Sequence, residues 1–203
     1  MDTIQNRTFD ELTIGETACL ARTLTYKDIE LFAIMSGDIN PAHVDEAFAK
    51  SDMFHKVVAH GMWGGALIST VLGTQLPGPG TIYLTQSLRF SGPVGLGDTI
   101  TVTVKVMEKK PEKHHVVFDC QAVNQHGQIV ISGTAEVIAP TEKISRAKIV
   151  LPEVEWHEKG PGPLEALLRT NGFGLLSFAP NAPNHGMIYA WRQSADDRAQ
   201  ARP

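Results

Sequence analysis

The sequence predicts an α+β domain in which an antiparallel sheet wraps a single apolar helix. Two observations carry that prediction. Gly61 to Gln75 holds Met62, Trp63, Ala66, Leu67, Ile68, Val71 and Leu72 with almost no polar face, so it reads as a helix buried on every side. From Thr81 onward the apolar residues switch to period two, and a run of strands follows that is the one partner able to cover such a helix. With 203 residues the chain is long for one domain and short for two, so one domain with an appendage is expected.

Taken in order, Thr17 to Thr23 reads as a first strand. Thr25 followed three positions later by Asp28 resembles a capping box, and a helix should start there. Ile29, Phe32 and Ala33 recur at helical spacing, Leu31 and Ile34 widen the stripe, and Gly37 is placed to end it in a left-handed conformation. The polar segment Asp38 to His43 comes next. Asn40 precedes a proline, which holds this backbone extended, and a second short helix is expected over Val44 to Lys50. Beyond the apolar helix, the turn cluster Pro77-Gly78-Pro79-Gly80 leads into the first strand of the sheet. In Thr99 to Val106, Ile100, Val102, Val104 and Val106 alternate with Thr99, Thr101, Thr103 and Lys105, the mark of a sheet with one dry face and one wet. Val116 to Val123 and Ile129 to Ile138 continue the meander. Its turns are Gly95-Leu96-Gly97-Asp98, Lys110-Pro111-Glu112-Lys113 and Asn124-Gln125-His126-Gly127.

These boundaries give a domain over residues 1–140, a linker or surface arm over 141–163 and a tail over 164–203. Leu164 to Arg169 has the look of a short helix. From Asn181 on, few apolar residues remain, and the tail reads as disordered or as the stub of a truncated fusion.

The formal net charge is -4 with acids and bases interspersed, so no basic patch invites nucleic acid or an anionic membrane. Cys19 and Cys120 lie far apart in apolar stretches, which suits reduced, packed thiols and neither a disulfide framework nor a metal site. No targeting segment opens the chain and no apolar run is long enough to span a bilayer, so a soluble cytoplasmic protein is expected.

The stretch that carries chemistry is Asp38-Ile39-Asn40-Pro41-Ala42-His43, followed later by His60-Gly61 at the mouth of the apolar helix. A proline-stiffened turn would let the Asp38 carboxylate and the His43 imidazole converge on one water, a workable acid/base pair. Gly61 adds an unhindered N–H at a helix N-terminus, where an oxyanion is stabilised by the free donor and by the helix dipole. Spacing alone leaves the alternative open, since Asp-x-Asn-Pro is also an ordinary turn held by its own side chains.

The motif Asp38-x-Asn40-Pro41-x-His43, then His60-Gly61 opening an apolar helix, resembles the hydratase motif of the MaoC-like, (R)-specific enoyl-CoA hydratase family. Tyr83 to Phe90, Pro93-Val94 and Gly97-Asp98-Thr99-Ile100 resemble the strand and turn that follow the central helix there, so the likeness spans about residues 8 to 140. It implies a hot-dog fold, a homodimer or higher oligomer, and an acyl-CoA substrate with neither metal nor other cofactor. It implies hydration of a trans-2-enoyl thioester to the (R)-3-hydroxyacyl thioester. Asp38 and His43 would activate the water and deliver the proton, with Asp38 the expected base and His43 the expected donor, while the Gly61 N–H polarises the carbonyl. Asn40, His60, Met62 and Trp63 are the expected binding and bracing residues. The first two-thirds of the chain, with Pro140-Thr141-Glu142-Lys143 and the Leu151-Pro152 segment after it, also resembles the hydratase half of bifunctional enoyl-CoA hydratase/phosphate acetyltransferase proteins, although too few residues remain for the second enzyme.

Two other functions compete. Hot-dog thioesterases usually carry a carboxylate on or near the central helix, and none lies between Gly61 and Gln75. A non-catalytic acyl-CoA-binding module would not need the Asp38/His43 pair. His55, His114, His115 and His126 lack the spacing of a zinc pair and read as turn or surface residues, while packing explains His60, Met62 and Trp63 as well as substrate contact does. Arg89, Lys105, Lys109, Lys110 and Lys113 suit CoA phosphates, but a solvated sheet face accounts for most of them.

Overall fold

The computed structural model describes residues 2–151, 173–177 and 188–192. Its centre is a five-stranded antiparallel sheet in the order β2-β4-β5-β6-β3, built from β2 (Thr17–Thr23), β3 (Ile82–Phe90), β4 (Thr99–Lys110), β5 (His115–Val123) and β6 (Ile129–Ile138). The alternation read in the sequence is the burial observed. Ile100, Val102, Val104 and Val106 of β4 and Val116, Phe118, Cys120 and Ala122 of β5 all face inward. Against them packs α4 (Gly61–Thr74), whose Trp63, Leu67, Ile68, Val71 and Leu72 are buried in the same core. Each such aliphatic side chain taken from water contributes about 1.5–3 kcal/mol, so this helix and sheet hold each other in place. This is the hot-dog arrangement of the α+β class.

Local signals set α1 (Tyr26–Ser36) as read. Thr25 and Asp28 form the reciprocal capping box, and Gly37 ends the helix at φ 75° with its N–H on the Ala33 carbonyl. Gly133 meets a different demand, because a Cβ there would lie 1.8 Å from the Ser87 carbonyl oxygen, so only glycine lets β6 approach β3.

Several expectations need correction. The central helix is not buried all round: Met62 is 54 % exposed, and Ala66, Ser69, Thr70 and Gly73 continue the open stripe, because one sheet covers one side of a cylinder. The single helix expected over Val44 to Lys50 is two, α2 (Pro41–Val44) and α3 (Glu46–Ser51). Asp45 divides them, since its side chain accepts from Ala47 N and Phe48 N and so caps a new helix. His43 therefore sits on a helical turn begun by Pro41, not on extended backbone. Of the two cysteines, Cys120 is packed and Cys19 is exposed.

The arm after the sheet begins as a strand. β7 (Ser145–Ala147) pairs antiparallel with β1 (Thr3–Gln5), a contact absent from the sequence reading. Contacts divide the chain into Met1–Val150 and Leu151–Pro203. In the second unit β8 (Phe173–Ser177) pairs antiparallel with β9 (Ile188–Arg192), inside the stretch read as tail. The rest of the expected linker and tail, including the helix read over Leu164 to Arg169, lies outside the described residues. Among the described residues no helix is long and apolar enough to cross a membrane.

Candidate active site

The site grows from the end of α1. The left-handed turn at Gly37 releases the chain into Asp38, whose N–H donates to Ser36 Oγ (3.2 Å) and whose Oδ1 accepts from Asn40 N (3.1 Å). Asn40 then caps α2, its Oδ1 accepting from Ala42 N at 3.1 Å, and Pro41 supplies the preset φ of the first helical position. Asn40 thus braces the turn from outside the cavity rather than lining it. This chain of short bonds fixes Asp38 and His43 on opposite ends of one compact loop.

A second segment clamps the pair. His43 Nδ1 lies 2.8 Å from the Val58 carbonyl oxygen, and His60 Nε2 lies 2.9 Å from the Asp38 carbonyl oxygen. A carbonyl oxygen only accepts, so each of these nitrogens carries the proton. In the neutral rings the lone pairs therefore sit on His43 Nε2 and His60 Nδ1. The two rings pack 4.0 Å apart between centroids, and Phe32 of α1 covers His60 at 5.0 Å. His60 is 2 % exposed, and burial pushes its pKa down from the ordinary histidine value, with help from the neighbouring His43. Its Nδ1 has no partner among the described residues.

One donor atom from each of Asp38, His43 and His60 lies within 4.8 Å of the others. A carboxylate and two imidazoles are donor types a transition metal accepts, and equally the types that hold and deprotonate a water. Beside them opens a cavity of about 470 Å³, lined by His43, His60, Gly61, Trp63, Phe54 and Ile131 among others. Gly61 is the first residue of α4, so its N–H is one of the donors that the helix leaves free. A Cβ there would meet the Phe90 ring at 3.2 Å, which favours glycine where the backbone borders the cavity.

Of the residues named from sequence, Asp38, His43 and His60 are brought together, and Gly61 and Trp63 line the adjoining cavity. Met62 is not among the lining residues. It points to the open side of α4, with its side chain over Gly65. The sequence reading missed the Val58 carbonyl, a backbone group that no residue type announces, and the apolar walls Phe54, Phe90 and Ile131. His55, His114, His115 and His126 stand apart from the cluster.

Residues 12–125, more than half of the chain, match the family model described as MaoC like domain. The chain belongs to the MaoC-like family. Its MaoC-like domain is 48 % identical over 132 residues to an (R)-specific enoyl-CoA hydratase of Rhodospirillum rubrum, covering 65 % of this chain and 91 % of that protein. An (R)-specific enoyl-CoA hydratase of Aeromonas caviae is 38 % identical over 129 residues, covering 64 % of this chain and 96 % of that protein. Among solved structures, the unliganded R-hydratase PhaJ1 from Pseudomonas aeruginosa superposes with a TM-score of 0.73 at 45 % identity, over 76 % of this chain and 99 % of that one. The motif and the strand pattern that resembled the family in the sequence thus belong to it.

Proposed function

We propose that this MaoC-like hydro-lyase adds water across the double bond of a trans-2-enoyl-CoA to give the (R)-3-hydroxyacyl-CoA. The observation that carries the reading is the tautomer of His43. With Nδ1–H spent on the Val58 carbonyl, the lone pair is on Nε2, and the ring lies with a nitrogen within 4.8 Å of an Asp38 carboxylate oxygen. A water held by both is oriented and ready to lose a proton. The relatives named (R)-specific enoyl-CoA hydratase support the substrate class.

In this reading the water oxygen bonds to the β-carbon as one O–H bond breaks, and that proton passes to His43 Nε2. The π pair moves to the thioester oxygen, where the Gly61 N–H and the positive end of α4 stabilise it. The imidazolium then returns its proton to the α-carbon as the enolate collapses, while Asp38 orients the water and balances the charge. His43 is thus base first and donor second, which reassigns the base role expected for Asp38. Every proton and electron pair comes from water, substrate and these side chains, so the reaction needs no cofactor.

The functional unit in this reading is a homodimer. β3 is an outer edge of the sheet, and Ile82, Tyr83, Leu84 and Phe90 on it are exposed next to the open stripe of α4. An apolar edge with no partner strand among the described residues, beside an open helix face, suits pairing with a second copy. The cytoplasm, where Cys19 and Cys120 stay reduced, is the proposed compartment. Chiral analysis of the product from crotonyl-CoA tests the reaction. The (R)-3-hydroxy thioester is expected, and the (S) product or no hydration contradicts it.

A further inference from the structure

We infer that His60 is the positioning residue of the Asp38/His43 pair, holding the Asp38 backbone through its Nε2–H and the His43 ring through its own ring face. The inference rests on the hydratase reading and goes beyond it, because it assigns His60 a role exerted through the Asp38 backbone and the His43 ring.

Asp38 lies on an exposed turn and half-buried His43 on the short α2 that follows it, and the side-chain bonds of this segment are local: Asp38 N to Ser36, Asn40 N to Asp38, Ala42 N to Asn40. Such bonds shape the loop but do not locate it against the cavity. Location comes from the segment Val58-Ala59-His60. Val58 takes the His43 Nδ1–H on its carbonyl, and His60 gives its Nε2–H to the Asp38 carbonyl. Ala59, between them, turns the other way and donates to the Val94 carbonyl at 2.8 Å, while Val58 bridges to Gly95. In extended backbone successive residues face opposite sides, so alternate positions reach the catalytic loop while the middle one is bolted to the chain leading into β4. His60 then runs directly into α4, its carbonyl accepting from Trp63 N at 2.9 Å. The side chain that holds Asp38 is therefore one residue from the Gly61 N–H. Acid/base pair and oxyanion donor share one anchor.

Two features separate this role from simple packing. His60 places a buried Nδ1, without a protein partner among the described residues, where an apolar residue of similar size would leave no polar atom to satisfy. It is also spent on a backbone carbonyl and on a catalytic ring, contacts that fix geometry and are not available to such a residue. Its Nε2 is committed to the Asp38 carbonyl and its ring lies on that of His43, so it acts through Asp38 and His43.

The test separates donor from ring. His60→Gln keeps an N–H donor, His60→Phe keeps a ring, and His60→Ala keeps neither. On folded protein with crotonyl-CoA, His60→Ala should lower kcat by about a hundredfold, the loss expected of a misplacement of order 1 Å, with KM changed by less than about threefold. His60→Gln should regain a substantial part of kcat and His60→Phe much less. A packing role predicts the reverse, with His60→Phe as good as wild type and losses that follow thermal stability. Ring-nitrogen NMR reads the positioning without substrate. The wild type should show His43 protonated at Nδ1 in a single environment, preserved in His60→Phe, which keeps the ring face, and lost in His60→Ala, which keeps neither ring nor donor. Wild-type kcat in folded His60→Phe, which lacks the donor, or His43 signals unchanged in His60→Ala, would overturn the inference. An inert wild type would sink the hydratase reading and leave the NMR result to decide this one.

Discussion

His43 Nδ1 lies 2.8 Å from the Val58 carbonyl oxygen, and that one contact decides which face of the imidazole is chemically available. The nitrogen opposite is left as an acceptor, which is what the proposed hydration needs of a group that takes a proton from water. In the proposed reaction the roles divide accordingly: Val58 and His60 hold, Asp38 and His43 react.

Gly64 limits the cavity from the helix side. A Cβ there would stand 2.3 Å from Ile131 Cδ1, so Gly64→Ala must push Ile131 out of its rotamer and should cost about 1–3 kcal/mol of stability. Ile131→Val removes the clashing methyl and should recover much of that loss in the double variant. Denaturant unfolding of the four proteins of the cycle checks it, and simple additivity would count against the contact.

Asp28 ties α1 to β2. Burial tends to raise its pKa, but hydrogen bonds from Thr25 and Arg22 and the Arg22 charge outweigh this and leave it below the ordinary value. A depressed carboxylate stabilises the fold above its unfolded pKa, and that stability is lost as pH falls through the lower folded value. Asp28→Ala should therefore cost about 1 kcal/mol at neutral pH, the usual worth of a helix cap, and progressively less in acid below the ordinary carboxylate range. Unfolding free energies measured at pH 7 and near pH 3 check the sign.

The two thiols should differ. Burial pushes Cys120 up to about 12, with a further push from Asp119, whereas Cys19 is exposed on β2. A chromogenic disulfide reagent should titrate one thiol per native chain and two after denaturation. Two fast thiols in native protein would contradict the packing of β5.

Leu84, 41 % exposed on the edge strand, is the point at which to break a dimer. Leu84→Lys should shift sedimentation from dimer to monomer, since a charge at an apolar edge blocks pairing. A monomeric wild type would remove the proposed assembly.

How much of this was legible in the sequence follows the range of each interaction. α1 was readable to the residue because Thr25, Asp28 and Gly37 act on their own turns. β4 was readable because its alternation is stamped into one strand. The outward face of Met62 was not, since the phase of an almost wholly apolar helix is set by which side the sheet covers. The pairing of β1 with β7 joins three-residue strands from distant parts of the domain and leaves no local trace. At the site, Asp38, His43 and Gly61 declared themselves by residue type and position. The contacts that orient them end on the carbonyls of Val58 and Asp38, which every residue possesses.

The most direct test is steady-state hydration of crotonyl-CoA by wild type, Asp38→Asn and His43→Ala, each shown to be folded. The account predicts that wild type consumes the enoyl absorbance and that each variant falls at least about a hundredfold in kcat, the lower range for acid/base catalysis. Full activity in both variants would contradict the assignment of the pair, and an inert wild type that still binds acyl-CoA would make the domain a binding module.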